Sequence, residues 1–291
     1  VKPEKQNQVG KLYVVATPIG NLADFSHRAE EILRQVDLIA AEDTRHIKML
    51  LQHYGISKPV ISLHQHNEEK QAPRLIQMLQ QGQTIALVSD AGTPLLSDPG
   101  MPLVKLAREH DLPVSPVPGA CALIAALSVA GLPMNRFTFE GFLPRTHSAR
   151  KQFFTEKLTE CSTWAFYESS HRILSCLQDM AEVIEDDREV VLARELTKLH
   201  ETIIKGPIKK ILAQVEEDAN MRKGEFVVIV EGVKESKNQE GITDDEKKVL
   251  QILLKECPLK TAVAMAVELT GQRKKRLYQA ALDMAQQQDE S

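Results

Sequence analysis

The residues of this chain that could do chemistry gather in short polar segments, each after a run of aliphatic residues. The densest is SDAGTPLLSDPG at residues 89–100, with two Gly, two Pro, two Asp, two Ser and one Thr. It follows TIALV at residues 84–88, a β-branched apolar run that reads as a buried strand. A Gly- and Pro-rich loop at the carboxyl end of a strand takes unusual backbone angles, and in open α/β sheets such loops bind ligands. Its second half, Ser97-Asp98-Pro99, also has the make-up of a helix start. Seven further segments share the pattern: residues 17–21 (TPIGN), 42–45 (EDTR), 64–67 (HQHN), 118–121 (PGAC), 168–172 (ESSHR), 194–198 (RELTK) and 223–226 (KGEF). Each alone has a structural explanation: a hinge at Pro118-Gly119, a first-turn pair between Glu42 and Arg45 or between Glu168 and Arg172, a solvated turn at Arg222-Lys223. Together they could line one cleft.

Several familiar chemistries are excluded. The chain has no G-x-x-x-x-G-K-[ST] phosphate loop and no G-x-G-x-x-G after its first strand, where TPIGN stands instead. No G-x-S-x-G elbow supports an acyl-transfer triad. His64-x-His66 lacks carboxylate or Cys partners in sequence, so no metal site is expected.

The elements that must position these loops follow from the hydrophobic pattern. Strands are expected at residues 12–16, 38–41, 60–63, 84–88 and 114–117, alternating with helices that Ser26 and Asn67 can cap. The alternation continues with an apolar helix at 121–130, closed by Gly131 and Pro133, and strands at 137–141, 163–167, 190–193, 202–205 and 226–230. In the first lobe, strand, loop and helix in repetition mean crossover units and a largely parallel sheet. The expected organisation is a disordered tail (1–10), an N-terminal αβα lobe (11–117), a C-terminal αβα lobe (118–232), a linker (233–241) and a helical extension (242–291). In the extension, Thr243-x-x-Glu246 is a capping box, and Val249, Leu250, Leu253 and Leu254 share one helix face. Pro258 starts a second helix that Gly271 closes, and Arg273-Lys274-Lys275-Arg276 opens a third, in the manner of a helix-turn-helix.

Composition bounds the partners. The 291 residues are 43% hydrophobic and 26% charged with net charge −4, so a nucleic-acid partner must be held by local patches and shape. Four Cys stand far apart with no C-x-x-C pair, which fits a reducing compartment. The polar VKPEKQNQVG at the start carries no apolar leader, and the longest apolar run is too short for a bilayer. A cytoplasmic protein without membrane contact is expected.

LYVVATPIGNL, AAEDTRH, ALVSDAGTPLLSDPG, PVPGACA, FEGFLPR, FYESSHR, ARELTK and KGEFVVIVEG, in this order, closely resemble the tetrapyrrole-methylase-like class of S-adenosylmethionine-dependent methyltransferases. Within that class they are most similar to the branch that methylates a cytidine 2′-hydroxyl at the decoding centre of small-subunit (16S) ribosomal RNA. The resemblance covers roughly residues 11–285. It implies two αβα lobes with the cofactor in the cleft between them, and a homodimer. It places Pro18, Gly20, Asp90, Gly92, Thr93, Ala120, Cys121, Phe166 or Tyr167, Leu196, Glu225 and Phe226 beside S-adenosylmethionine.

A ribose hydroxyl is a weak acid, and Asp43, Glu168, His171 and Glu195 are the unranked candidates for its base. Arg45, Arg145, Arg172, Arg194, Lys198 and Arg222 suit phosphate contacts, against the alternative that they pair within the chain. The Arg273, Lys274, Lys275 and Arg276 run suits RNA as well. Near-neutral charge favours the assembled small subunit over naked RNA as substrate. The competing readings are the same fold acting on a tetrapyrrole or a modified protein side chain, and a non-catalytic ribosome-assembly factor that binds RNA.

Overall fold

Short aliphatic runs set the strands of the first of two units, Val1–Val233, and the second unit is Lys234–Ser291. The computed structural model describes residues 9–184, 188–233, 242 and 244–289. The tail expected over residues 1–10 and the linker expected over 233–241 therefore lie almost wholly outside the described residues, as does Thr243 of the capping box.

The first half of unit one alternates strictly: β1 (Leu12–Val15), α1 (His27–Gln35), β2 (Leu38–Ala41), α2 (Thr44–His53), β3 (Val60–Ser62), α3 (Glu68–Gln80), β4 (Ile85–Val88), α4 (Met101–Glu109) and β5 (Val114–Val117). The strands pair in the order β3-β2-β4-β1-β5, all parallel. Every residue of β2 and β4 is buried, as expected where helices cover both faces of a parallel sheet. Alternation along the strands splits the core in two. Leu12, Leu75, Leu79, Leu87 and Leu103 pack on one face, and Val15, Leu33, Ile39, Leu51 and Val88 on the other. Burying each such side chain stabilises the fold by about 1.5–3 kcal/mol. Ser26 caps α1 by accepting from Ala29 N at 3.1 Å. Asn67 departs from expectation. Its side chain does not cap α3; instead it accepts from His64 N at 2.9 Å and donates to Ser62 O at 3.2 Å, tying down its own loop.

The second half holds α5 (Ala122–Ala130), β6 (Phe137–Phe142), α6 (His147–Glu156), β7 (Thr163–Ser169), α7 (Ile173–Val183), β8 (Glu189–Arg194), β9 (Thr202–Pro207), α8 (Ile208–Glu217) and β10 (Glu225–Val230). Its sheet runs β6-β7-β10-β8-β9. This sheet is mixed, in contrast to the first. Only β6 and β7 are parallel; β10 runs against both its neighbours, and β8 against β9. Residues 195–201 join β8 to β9 without a helix, and so short a connection returns the chain antiparallel. β7 faces two cores. Trp164 and Phe166 pack with Phe154, Leu177 and Met180, whereas Ala165 and Tyr167 face α5. Under the first of these lies a buried ion pair, with Arg150 Nε donating to Asp179 Oδ2 at 2.7 Å.

Unit two is α9 (Asp244–Glu256), α10 (Leu259–Thr270) and α11 (Lys274–Asp289) around Leu250, Val263, Ala266, Leu277 and Ala281. Pro258 precedes α10, and Gly271 closes it. Glu246 accepts from Gln272 Nε2 at 3.1 Å, fastening α9 to the turn before α11.

Candidate cofactor and substrate cleft

The carboxyl ends of β1 and β4 face the loops after β7 and β8 across a cavity of about 330 Å³. Ile19, Asp90, Gly92, Thr93, Leu96 and Asp98 line it from the first sheet's loops. Cys121, Tyr167, Leu196, Glu225 and Phe226 line it from the other side. An adjoining hollow of about 310 Å³ shares Ile19, Asp90, Lys198 and Glu225 and adds Pro18, Gly20 and His46.

Residues 89–100 are held by bonds that the local sequence does not announce. Thr17 and Gly92 exchange backbone hydrogen bonds of 2.9 and 3.0 Å. Thr93 Oγ1 donates to Ala120 O at 3.1 Å, linking the loop to the start of α5. Leu95 and Ser97 have φ of +75° and +69°, a left-handed conformation that costs a side-chain-bearing residue about 1–2 kcal/mol. Gly100 follows at φ +117°, and a Cβ there would lie 2.7 Å from Leu87 Cδ2. Its N–H donates to Glu68 Oε2 at 2.6 Å. The helix start expected from Ser97-Asp98-Pro99 is present, with α4 beginning at Met101. Gly100 is the cap residue and makes no side-chain bond, while Ser97 and Asp98 turn into the cavity.

Carboxylates crowd this end of the sheet. Asp90 Oδ1 accepts from Asp43 N at 2.9 Å. Burial, then the charges of Asp90 and Asp98, pushes Glu42 up to about 6, although the Asp90 N–H bond opposes the shift. Burial also raises Asp98 to about 6, with Asp90 adding to the shift and a Ser89 hydrogen bond opposing it. Asp43 goes the other way. Hydrogen bonds from the Arg45 side chain and backbone hold it well below the usual carboxylate range.

The four base candidates do not converge. Asp43 is bound by Arg45 at 2.6 Å. Glu195 accepts from Lys198 Nζ at 2.8 Å and Glu225 N at 3.0 Å. Despite its partial burial, these bonds keep it ionised below its ordinary value. Glu168 borders the cavity but is 2% exposed and sits 3.1 Å from Arg172. His171 is exposed and does not line the cavity.

Three of the expected phosphate-binding cations are engaged by backbone carbonyls. Arg172 donates to Leu143 O at 2.7 Å and Pro144 O at 3.0 Å. Arg194, 7% exposed, donates to Lys223 O at 2.7 Å and His200 O at 3.0 Å. Arg222 donates to Val215 O and Glu216 O at the end of α8. Lys198 is shared by Glu195 and Glu225, both within 3 Å. For these four, and for Arg45 paired with Asp43, the alternative of pairing within the chain is what the structure displays. Arg45 keeps an exposed guanidinium beside Asp43, Arg145 is exposed, and Arg273, Lys274, Lys275 and Arg276 are exposed at the start of α11.

Of the expected wall residues, Ala120 and Phe166 do not line the cavity; Ala120 instead takes the Thr93 hydrogen bond with its carbonyl, and Phe166 is turned away. It lies in the core behind β7, because neighbours on a strand point to opposite faces, and Tyr167 takes the cavity side. Leu123 N donates to the Tyr167 hydroxyl at 3.2 Å, and burial pushes that phenol up. Sequence reasoning missed Asp98, Glu42 and Phe142. Asp98 was masked by a good local cap motif, and Phe142 fell just beyond the strand expected at residues 137–141. Among the described residues no group of His, Cys, Asp and Glu could hold a metal ion, and no helix is long and apolar enough to cross a membrane.

A cleft between two α/β lobes, walled by these loops, is set in a chain whose residues 11–212 match the family described as Tetrapyrrole (Corrin/Porphyrin) Methylases. The chain belongs to that family of S-adenosylmethionine-dependent methyltransferases. Residues 240–285 match the RsmI C-terminal HTH domain. The chain is 52% identical over 277 residues to the Ribosomal RNA small subunit methyltransferase I of Escherichia coli O157:H7, covering 95% of this chain and 96% of that protein. It is 52% identical over 273 residues to the Haemophilus influenzae protein of the same name, covering 94% and 96%. Among solved structures, the methyltransferase CobJ superposes with a TM-score of 0.57 at 18% identity, over 77% of this chain and 95% of that one. Uroporphyrin-III C-methyl transferase from Thermus thermophilus, complexed with S-adenyl homocysteine, gives 0.50 at 14% identity, over 76% and 97%. At such identities these two establish the shared fold alone.

Proposed function

We propose that this protein transfers a methyl group from S-adenosylmethionine to a cytidine 2′-hydroxyl in the decoding centre of small-subunit (16S) ribosomal RNA. The observation that carries the reading is the 52% identity to ribosomal RNA small subunit methyltransferase I, which runs through both units. The donor set of the cavity fits the cofactor. Ile19, Leu196 and Phe226 offer apolar surface to its nucleoside, and Asp90 and Asp98 offer negative charge to its cationic end. Gly92, Thr93, Cys121, Tyr167 and Glu225 complete the wall, with Pro18 and Gly20 at its edge and Ala120 behind Thr93. Bound there, the cofactor supplies an electrophilic methyl carbon on a sulfonium.

The chain's own part is alignment, exclusion of water and removal of one proton. Asp98 is the group for that proton. It faces the cavity, and the strained turn at Leu95–Ser97 fixes its backbone. Asp43 and Glu195, tied to cations, are weaker bases, and Glu168 serves to hold Arg172. Arg45, Arg145 and the Arg273–Arg276 run meet phosphates. The protein works in the cytoplasm as a homodimer and prefers assembled subunits to naked RNA.

Mapping 2′-O-methyl groups on small-subunit RNA with and without the protein tests the reading. One new mark at a decoding-centre cytidine is expected; an unchanged map refutes it. Equal transfer to subunits and to naked RNA at matched salt would remove the assembled-substrate preference.

A further inference from the structure

Phe142 has no part in the reading above, yet it is 55% exposed and lines the cavity. Its position is built by an irregular strand. β6 pairs in register with β7 as far as Phe139↔Ala165, and then Phe142, rather than residue 141, stands opposite Tyr167. In a regular strand, residues three apart point to opposite faces. The extra residue, with Gly141 at φ +64°, brings Phe142 back to the face of Phe139. Phe139 and Tyr167 have ring centroids 4.8 Å apart, and Phe142 and Tyr167 5.8 Å. Three rings therefore form a row that begins against α5 and ends open at the cavity mouth.

The chain beyond Phe142 is clamped. Arg172 holds the carbonyls of Leu143 and Pro144, and Arg150 Nη1 donates to Arg145 O at 3.3 Å. Glu168 and Asp179 hold the two guanidinium groups in turn. Leu143 is buried beside them. An exposed apolar ring thus stands at the start of a held backbone segment, three residues before the exposed Arg145. A flat apolar face beside a cation is the chemistry that receives an unstacked nucleobase and its phosphate.

We infer that Phe142 is the platform on which the base of the target nucleotide stacks while its sugar enters the cavity. This rests on the RNA reading of the same cleft. A base taken out of its stack needs a new face to lie on, and an aromatic ring supplies it without reading sequence.

The test uses the full chain and small ribosomal subunits from cells lacking the enzyme. No transfer by the unsubstituted protein overturns the RNA reading and the inference with it. Given transfer, Phe142→Ala should raise KM for subunits, and the Kd from filter binding with S-adenosylhomocysteine present, by roughly 10- to 100-fold. The value of kcat and the calorimetric affinity for S-adenosylhomocysteine should stay within about 2-fold, as for loss of uniform binding. Phe142→Trp should restore KM, and Phe142→Leu should not. An unchanged KM in Phe142→Ala, or full rescue by Leu, overturns the platform. So does a loss of S-adenosylhomocysteine affinity without a change in subunit KM, which would assign the ring to the cofactor.

Discussion

Acidification should strip the cleft of its affinity for S-adenosylmethionine well before it unfolds the protein. Glu42 and Asp98 both titrate near about 6 in the free chain, each raised first by burial and then by neighbouring carboxylates. Asp98 lines the cavity and Glu42 feels its charge, so a cation entering there favours their ionised forms. If binding returns Asp98 alone to the ordinary value of about 4, affinity falls about 10-fold between pH 7 and pH 5. Glu42 adds to this, with about 100-fold as the ceiling for the pair, because mutually repelling groups do not titrate independently. At pH 6 each carboxyl should release about half a proton on binding. Calorimetry in buffers of different ionisation heat counts those protons directly. Asp98→Asn should remove roughly half of the release, and S-adenosylhomocysteine, which lacks the sulfonium charge, should release less. The sign for stability is the reverse. A carboxyl raised in the folded state stabilises it below the unfolded value, and that contribution is lost as pH rises through about 6. The free protein should therefore melt higher in Asp98→Asn than in wild type at neutral pH, with the gap closing in acid. Proton release indistinguishable from zero at pH 6, together with flat affinity between pH 5 and pH 7, would refute this electrostatic account.

Other substitutions probe separate parts of the same structure. Arg172→Met leaves Glu168, whose side chain is 0% exposed, without its cation; urea unfolding should show a loss of about 3–5 kcal/mol. Gly100→Ala meets both the φ of +117° and the Leu87 contact at 2.7 Å; it should destabilise by about 1–3 kcal/mol in thermal melts and depress methyl transfer further. Asp90→Ala removes the acceptor of the Asp43 N–H and a cavity charge; cofactor affinity by calorimetry should drop roughly 10-fold with the circular dichroism spectrum retained.

The first sheet was legible because its strands are short, aliphatic and separated by amphipathic helices, a period that only crossover units satisfy. The second sheet was not, since alternation of strand and helix carries no direction once β8 and β9 are joined by a bare loop. At the cleft, SDAGTP stood out because Gly and Pro are rare punctuation and clustered at a strand end. The cations did not declare themselves. Arg194 and Arg172 are held by carbonyls 29 residues away in the chain, and a carbonyl leaves no mark on residue type. Asp98 was obscured by a competing local rule, because Ser-Asp-Pro before an apolar run suits a helix start equally well. Asn67 shows the same limit from the other side. An amide placed to cap a helix found better partners within its own loop.

The chain has one tryptophan, and Trp164 is fully buried with its ring 5.8 Å from that of Phe166 at an interplanar angle of 21°. The indole is therefore a built-in optical reporter with a single address, the layer behind β7. Its emission follows the packing of that layer, whereas far-ultraviolet ellipticity sums over all helices, including α9, α10 and α11. Recorded together during denaturation, the two signals separate the melting of the second sheet from that of the C-terminal bundle in one sample. Tyr167 lies on the same strand with its ring turned to the opposite side, so a ligand that stiffens β7 from the cavity should sharpen the emission transition before it moves any other.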